Sequence, residues 1–217
     1  MQSSLRVNII ACLPHRRLLP KLVAAGDISL AGHTEMAIES EKKYRLDKRR
    51  LVELTAILGE LGATFTGERF EENYLHRGGL LDESGAILRL RKTNGHTFLT
   101  YKEKLHNDED DVKHKIEFET TVDDVDAMEN IIEKLGYTLS VVYEKHRKSW
   151  HLDDVEVVLD ELPFGYFMEI EGTVEAIARA EKRLKIKDLE TEMRGYPRLT
   201  LKFGRMEDDV AIARFES

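Results

Sequence analysis

The 217-residue sequence predicts an α+β fold, an eight-stranded antiparallel, closed or nearly closed β-barrel with helices packed outside. Three observations predict it. Short runs place charges of both signs on every second position with apolar or aromatic residues mostly between them, which is the side-chain period of a strand. Three other stretches repeat leucine, isoleucine or methionine at helical spacing behind a residue able to cap a helix. Glycine and Asn-Gly sites punctuate these segments where chain reversals are needed.

The first strand runs from about Met36 to Leu46, with Ile38, Tyr44 and Leu46 on one face and Glu39, Glu41, Lys43 and Arg45 on the other. Asp47 can cap a following helix built on Leu51, Leu54, Leu58 and Leu61 and ended by Gly62. A quieter second strand, about Arg69–His76, contains Tyr74. A turn with Gly78, Gly79 and Gly85 leads to the third strand at Ile87–Lys92, and Asn94-Gly95 reads as a tight hairpin into the fourth at His96–Lys104. The acidic loop His106–Asp111 precedes the fifth strand, Val112–Thr121. A second helix begins near Asp123, uses Met128, Ile131, Ile132 and Leu135, and stops at Gly136. Strands six to eight cover about Thr138–Leu152, Val155–Glu161 and Tyr166–Glu171, and Thr173 caps a third helix through about Leu184. The segment Glu190–Phe203 is amphipathic but ambiguous, with Pro197 inside it.

Composition narrows the function classes. A 41% apolar fraction is enough for a core, and 34% charged residues exceeds the usual quarter. The net charge of −8 argues against broad nucleic-acid or membrane binding, so any basic site is local. The single cysteine, Cys12, excludes an internal disulfide and a cysteine-rich metal site, and fits a reducing, cytoplasmic setting. No apolar run approaches the roughly 20 residues of a membrane helix. Residues 1–35 carry a local charge of +2 and read as a poorly ordered extension, a start preceding translation from Met36, or a transit-like segment. The expected domain is 36–204, followed by a tail, 205–217.

A charged strand face is ordinarily a solvent face, and for any one run that is the simpler reading. Like-signed pairs argue otherwise for the set. Glu39 with Glu41, Glu117 with Glu119 and Glu169 with Glu171 are carboxylate pairs, while Arg89 with Arg91 and Lys145 with Arg147 are cationic pairs. Residues two apart on a strand stand about 6.5–7 Å apart on one face. Enclosed without counter-ions they would repel and lose hydration, each at several kcal/mol. A divalent cation gathers carboxylates and a phosphate chain gathers guanidinium and ammonium groups, so a metal-bound triphosphate satisfies both halves. All-oxygen ligation suits Mg²⁺, with Mn²⁺ as the second choice. No zinc-type His/Cys spacing or glycine-rich phosphate loop is present, and His146 and His151 read as surface or structural residues.

The ordered set of runs resembles the CYTH superfamily, the triphosphate tunnel metalloenzymes, from Met36 to about Phe203. Glu39-Ser40-Glu41-Lys42-Lys43 is similar to its opening Glu-x-Glu-x-Lys signature, and Leu88-Arg89-Leu90-Arg91 to its Leu-Arg-x-Arg strand. Lys102, the Glu117/Glu119 pair, Lys145-His146-Arg147, Asp160, Phe164-Gly165 and Glu169-Ile170-Glu171 follow in the family's order. The resemblance implies an eight-stranded tunnel in which Glu39, Glu41, Glu169 and Glu171 hold the metal, with Asp160, Glu117 and Glu119 as further ligands. It implies that Lys43, Arg89, Arg91, Lys102, Lys145 and Arg147 grip the phosphates, and that Tyr74 works with Lys43 in catalysis or else packs the barrel. The expected activity is a Mg²⁺-dependent triphosphatase cleaving the terminal phosphate of tripolyphosphate or an organic triphosphate. A class IV adenylate cyclase and a non-catalytic polyphosphate binder are the alternatives. The expected partner is a triphosphate-containing small molecule, with no nucleic acid and no membrane. Family members are often homodimers, for which this sequence carries no surface signal.

Overall fold

The computed structural model describes residues 37–105 and 113–216, apart from the side chains of 37–39, 104–105 and 113–115. The loop expected at 106–111 and the extension 1–35 lie outside the described residues. The elements are β1 (Ala37–Leu46), α1 (Lys48–Glu60), β2 (Thr64–Arg77), α2 (Gly79–Ser84), β3 (Ile87–Thr93), β4 (His96–Leu105) and β5 (Lys113–Val122). Then follow α3 (Val125–Lys134), β6 (Thr138–Leu152), β7 (Val155–Leu162), β8 (Gly165–Glu171), α4 (Val174–Leu184), α5 (Tyr196–Phe203), β9 (Arg205–Glu207) and β10 (Val210–Ala213). No described helix is long and apolar enough to cross a membrane.

Local chemistry accounts for most boundaries. Asp47 accepts from the Arg50 N–H at 2.6 Å to start α1, and Thr173 accepts from the Ala176 N–H at 3.2 Å to start α4. The start of α3 is capped by Asp124, one residue beyond the expected Asp123. Asn94 and Gly95 both take positive φ, 48° and 76°, as a two-residue hairpin with the strands' own twist requires. The expected plain turn at Gly78–Gly85 instead holds the six-residue α2, with Gly85 as its left-handed C-cap.

The strands form one α+β sheet in the order β2-β3-β4-β5-β1-β8-β7-β6-β10-β9. Two features correct the expected eight-stranded closed barrel. Among the described residues there are ten strands, because residues 205–213, expected as a tail, supply β9 and β10. The sheet also has an edge at β9, since β10 joins β6 in parallel at Val141–Tyr143 whereas β7 pairs only with His146–Leu152. β2 pairs with β3 over Glu72–His76 and antiparallel with β6 over Thr64–Arg77, which curls the sheet back on itself. The sequence reading left the segment after Glu190 undecided; here Pro197 sits in the first turn of α5, where its missing N–H costs nothing. At Gly204 a Cβ would stand 2.5 Å from the Ile212 carbonyl oxygen, so only glycine lets the chain fold back there.

Three apolar clusters follow from strand alternation. Tyr44, Val157, Leu159, Met168 and Ile170 point to the outer face, where Leu54 and Leu58 of α1 and Ile177 and Leu184 of α4 cover them. Ile132 of α3 covers Leu90 and Val122 on another stretch of that face. Ile131 and Leu135, expected to share this work, are 52% and 66% exposed. The third cluster is on the inner face: Leu75, Val141, Tyr143, Leu162 and Phe167 surround Tyr196 and Leu199 of α5. One end of the concave side is therefore filled by α5, and the rest is left to charged residues.

Candidate active site

The inner face of each strand carries its charges beyond the α5 plug. Glu41, Lys43, Glu71, Asn73, Arg89, Thr100, Lys145, Arg147, Ser149, Asp160 and Glu169 are all buried. Two walls can be distinguished by how these groups are paired.

One wall is made by β1 and β8, which pair Glu41 with Glu171 and Lys43 with Glu169. Single carboxylate oxygens of Glu41, Glu169 and Glu171 lie within 4.8 Å of one another, a spacing able to hold a metal ion. Glu156 stands opposite Glu171 on β7. Burial pushes the Glu171 carboxyl up, and Glu169, Glu41 and Glu156 push it further against the pull of Arg147. Glu169 is shared, one oxygen 2.9 Å from Lys43 Nζ and the other 2.5 Å from Arg147.

The other wall is made by β2, β3 and β6. Here Glu71, wholly buried, has Arg69 Nε at 2.7 Å, Lys145 Nζ at 3.3 Å and Arg91 at 3.8 Å. Burial pushes this carboxyl up too, but Lys145, Arg147, Arg91 and Arg69 together hold it far below the ordinary range. Arg89 donates to Thr100 at 3.3 Å, and Arg91 donates to both oxygens of Glu119 at 3.0 and 2.9 Å.

Between the walls, Asp160 accepts from Arg147 at 2.7 and 2.6 Å, from Lys145 at 3.4 Å and from the Tyr196 hydroxyl at 2.6 Å. The Tyr196 ring lies 3.7 Å from Lys43 Nζ and 5.2 Å from Lys145 Nζ. Burial, and then Asp160, raise this hydroxyl well above its usual range, so it stays a proton donor.

The expected site residues divide accordingly. Glu41, Glu169 and Glu171 meet as a metal-type cluster. Glu117 and Glu119 stand elsewhere, against Lys102 and against Arg91, Arg89 and Thr100. Asp160 is spent on hydrogens from two cations, Arg147 and Lys145, and from the Tyr196 hydroxyl. The side chain of Glu39 lies outside the described part of the chain. Lys43, Arg89, Arg91, Lys102, Lys145 and Arg147 all face inward by strand parity with this set. Tyr74 is a correction. It stands on the opposite face of β2 from Glu71 and Asn73, bonded to Glu72 at 3.1 Å and with Lys92 4.8 Å from its ring. Strand alternation forbids Tyr74 and Glu71 from sharing a face, so the expected Lys43–Tyr74 pair is not formed.

Sequence reasoning missed Glu71, Asn73 and Tyr196. The alternation Arg69, Glu71, Asn73 was available as a signal but was blurred by Glu72 beside it. Nothing local points to Tyr196, which comes from the segment left ambiguous.

The CYTH domain family model matches residues 37–198. A Methanocaldococcus jannaschii protein carrying the provisional name adenylate cyclase is 30% identical over 156 residues, spanning 68% of this chain and 84% of its own length. Among solved structures, a Pyrococcus horikoshii protein superposes with a TM-score of 0.64 at 26% identity, covering 74% of this chain and 98% of that one. A Hippeastrum protein, provisionally an adenylyl cyclase and described as having a dominant triphosphatase activity, superposes with a TM-score of 0.57 at 17% identity over 73% of this chain and 91% of its own.

Proposed function

The chain belongs to the CYTH domain family, and we propose that it is a Mg²⁺-dependent triphosphatase acting on tripolyphosphate or an organic triphosphate. One observation carries this reading. Three carboxylates converge on one wall of a concave face whose other wall presents cations, which is the charge pattern of a metal-bound polyphosphate and of neither partner alone.

The residues fit a hard cation. The donors are all carboxylate oxygens, and their crowding already drives the Glu171 carboxyl up. Glu41, Glu169 and Glu171 would hold the ion, with Glu39 as an additional ligand from the same β1 face. When bound, Mg²⁺ supplies neutralisation of phosphate charge; Mn²⁺ suits the same donors. Lys43, Arg147 and Lys145 line the floor beside Asp160, and Arg89, Arg91 and Lys102 extend the grip along β3 and β4. Buried donors of fixed geometry stabilise charge that moves to the phosphate oxygens as the bond breaks. Asp160 and Tyr196 keep Lys145, Arg147 and Lys43 aimed by direct contact. Proton removal from the attacking group is not assigned to Tyr74, which lies outside the concave face.

The archaeal relative's name favours a second reading, conversion of ATP to cyclic AMP and pyrophosphate on the same charged lining. The fold shared with the Hippeastrum protein is compatible with the hydrolytic one. Incubation with Mg²⁺ and tripolyphosphate, ATP or thiamine triphosphate separates them. Orthophosphate supports the hydrolase; cyclic AMP with pyrophosphate supports the cyclase. Binding without products leaves a polyphosphate binder and overturns both.

A further inference from the structure

We propose that Asn73 orients the attacking O–H group against the phosphate chain, an inference that rests on the triphosphate reading above. Asn73 has no solvent exposure and shares the inner face of β2 with Glu71. Its Cα partners are Arg91 on β3 and Tyr143 on β6. Neither its Oδ1 nor its Nδ2 has a hydrogen-bond partner among the described residues, so the conclusion is the same whichever way the amide is turned. Buried amides in folded proteins are almost always bonded, and one left unbonded costs stability. A residue that breaks this rule inside a charged cleft marks a place where a ligand completes it.

The neighbouring atoms specify the ligand. The Nε atoms of Arg89 and Arg91 are also buried with no hydrogen-bond partner among the described residues. Together with Nδ2 of Asn73 they ask for acceptors, which phosphate oxygens provide. Oδ1 of Asn73 asks for a donor, and a fully ionised phosphate chain has none. The attacking group does: water in hydrolysis, a ribose hydroxyl in cyclisation. Its O–P bond forms as the P–O bond to the departing phosphate breaks, and its proton ends on that phosphate product. Asn73 neither gains nor loses a proton. It holds the nucleophile's hydrogen on Oδ1 and a phosphate oxygen on Nδ2, fixing the angle between them.

Asn73→Leu tests this by initial rates with tripolyphosphate and Mg²⁺ and by thermal unfolding without ligand. The expected result is a kcat about 100-fold lower, with KM changed less than about threefold and Tm equal to or above that of the wild type. Asn73→Asp, of the same size, keeps the acceptor but sets an anion against phosphate. It is expected to retain more kcat than the leucine variant and to raise KM. A leucine variant with wild-type kcat overturns the role of Asn73, as does one that loses Tm and kcat together, since that is a structural role. An aspartate variant as slow as leucine overturns the acceptor assignment. Wild-type protein that turns over no triphosphate overturns the enzymatic reading itself, and this inference with it.

Discussion

Glu171 on one wall and Glu71 on the other are the same residue type, both turned to the inner face, yet their environments set them apart. Burial raises both carboxyls; at Glu171 three further carboxylates add to the rise, and at Glu71 four cations reverse it. The first wall gathers three carboxylates at a spacing able to hold a cation. The second sets its one wholly buried acid among cations. Burial alone therefore says nothing about the charge state of an acid in this cleft; the neighbours decide it.

The largest test removes the first wall. Glu41→Ala or Lys43→Ala is expected to lower turnover by about 10³-fold or more, with far-ultraviolet circular dichroism unchanged; wild-type turnover in either variant would break the assignment of this wall. Next, Glu71→Gln leaves Lys145, Arg91 and Arg69 without their shared anion. A loss of about 3 kcal/mol in ligand-free stability is expected, read by urea unfolding and partly restored by tripolyphosphate.

Glu192 serves as a control outside the cleft's ligand positions. It is buried and bonded to Arg45 Nε at 2.7 Å and to Arg194 at 2.7 and 2.8 Å, and these partners outweigh burial to hold its carboxyl at about 2. A depressed pKa stabilises the fold fully above the ordinary 4.5 and ceases to do so as pH falls toward 2. Glu192→Gln should cost about 2 kcal/mol at neutral pH and flatten the acid limb of the Tm–pH curve. The smallest effect has the opposite sign. Because the Glu171 carboxyl is raised, its anion costs stability above that raised value, and the cost disappears as pH falls toward 4.5. Glu171→Gln should therefore raise the ligand-free Tm while abolishing the further rise that Mg²⁺ gives the wild type. A lower Tm in that variant would erase the contrast between the walls.

Much of this was legible beforehand. Alternating charge located seven of the eight principal strands to within a few residues, the quieter β2 was placed with too late a start, and Asp47, Thr173 and Asn94-Gly95 acted as their chemistry dictates. These signals are local, carried by side chains within four residues of one another. α2, β9 and β10 were not legible, being short segments whose hydrogen bonds depend on neighbours distant in sequence. Tyr74 was misplaced because one aromatic was weighed alone, when Arg69, Glu71 and Asn73 already set the parity of β2. Tyr196 had no local sign, for it reaches Asp160 and Lys43 only because α5 enters one end of the curled sheet.

By itself the amino-acid order determined the secondary structure of the β1–β8 segment apart from α2, and which charges share a strand face, since both follow from a repeat of two or of 3.6 residues. Tertiary structure alone decided which of those charges meet. Contacts between strands far apart in the chain made Glu41, Glu169 and Glu171 a cluster able to hold a cation, and set Glu71 among four cations. Coulombic interaction depends on distance in space, and the chain records only distance along itself.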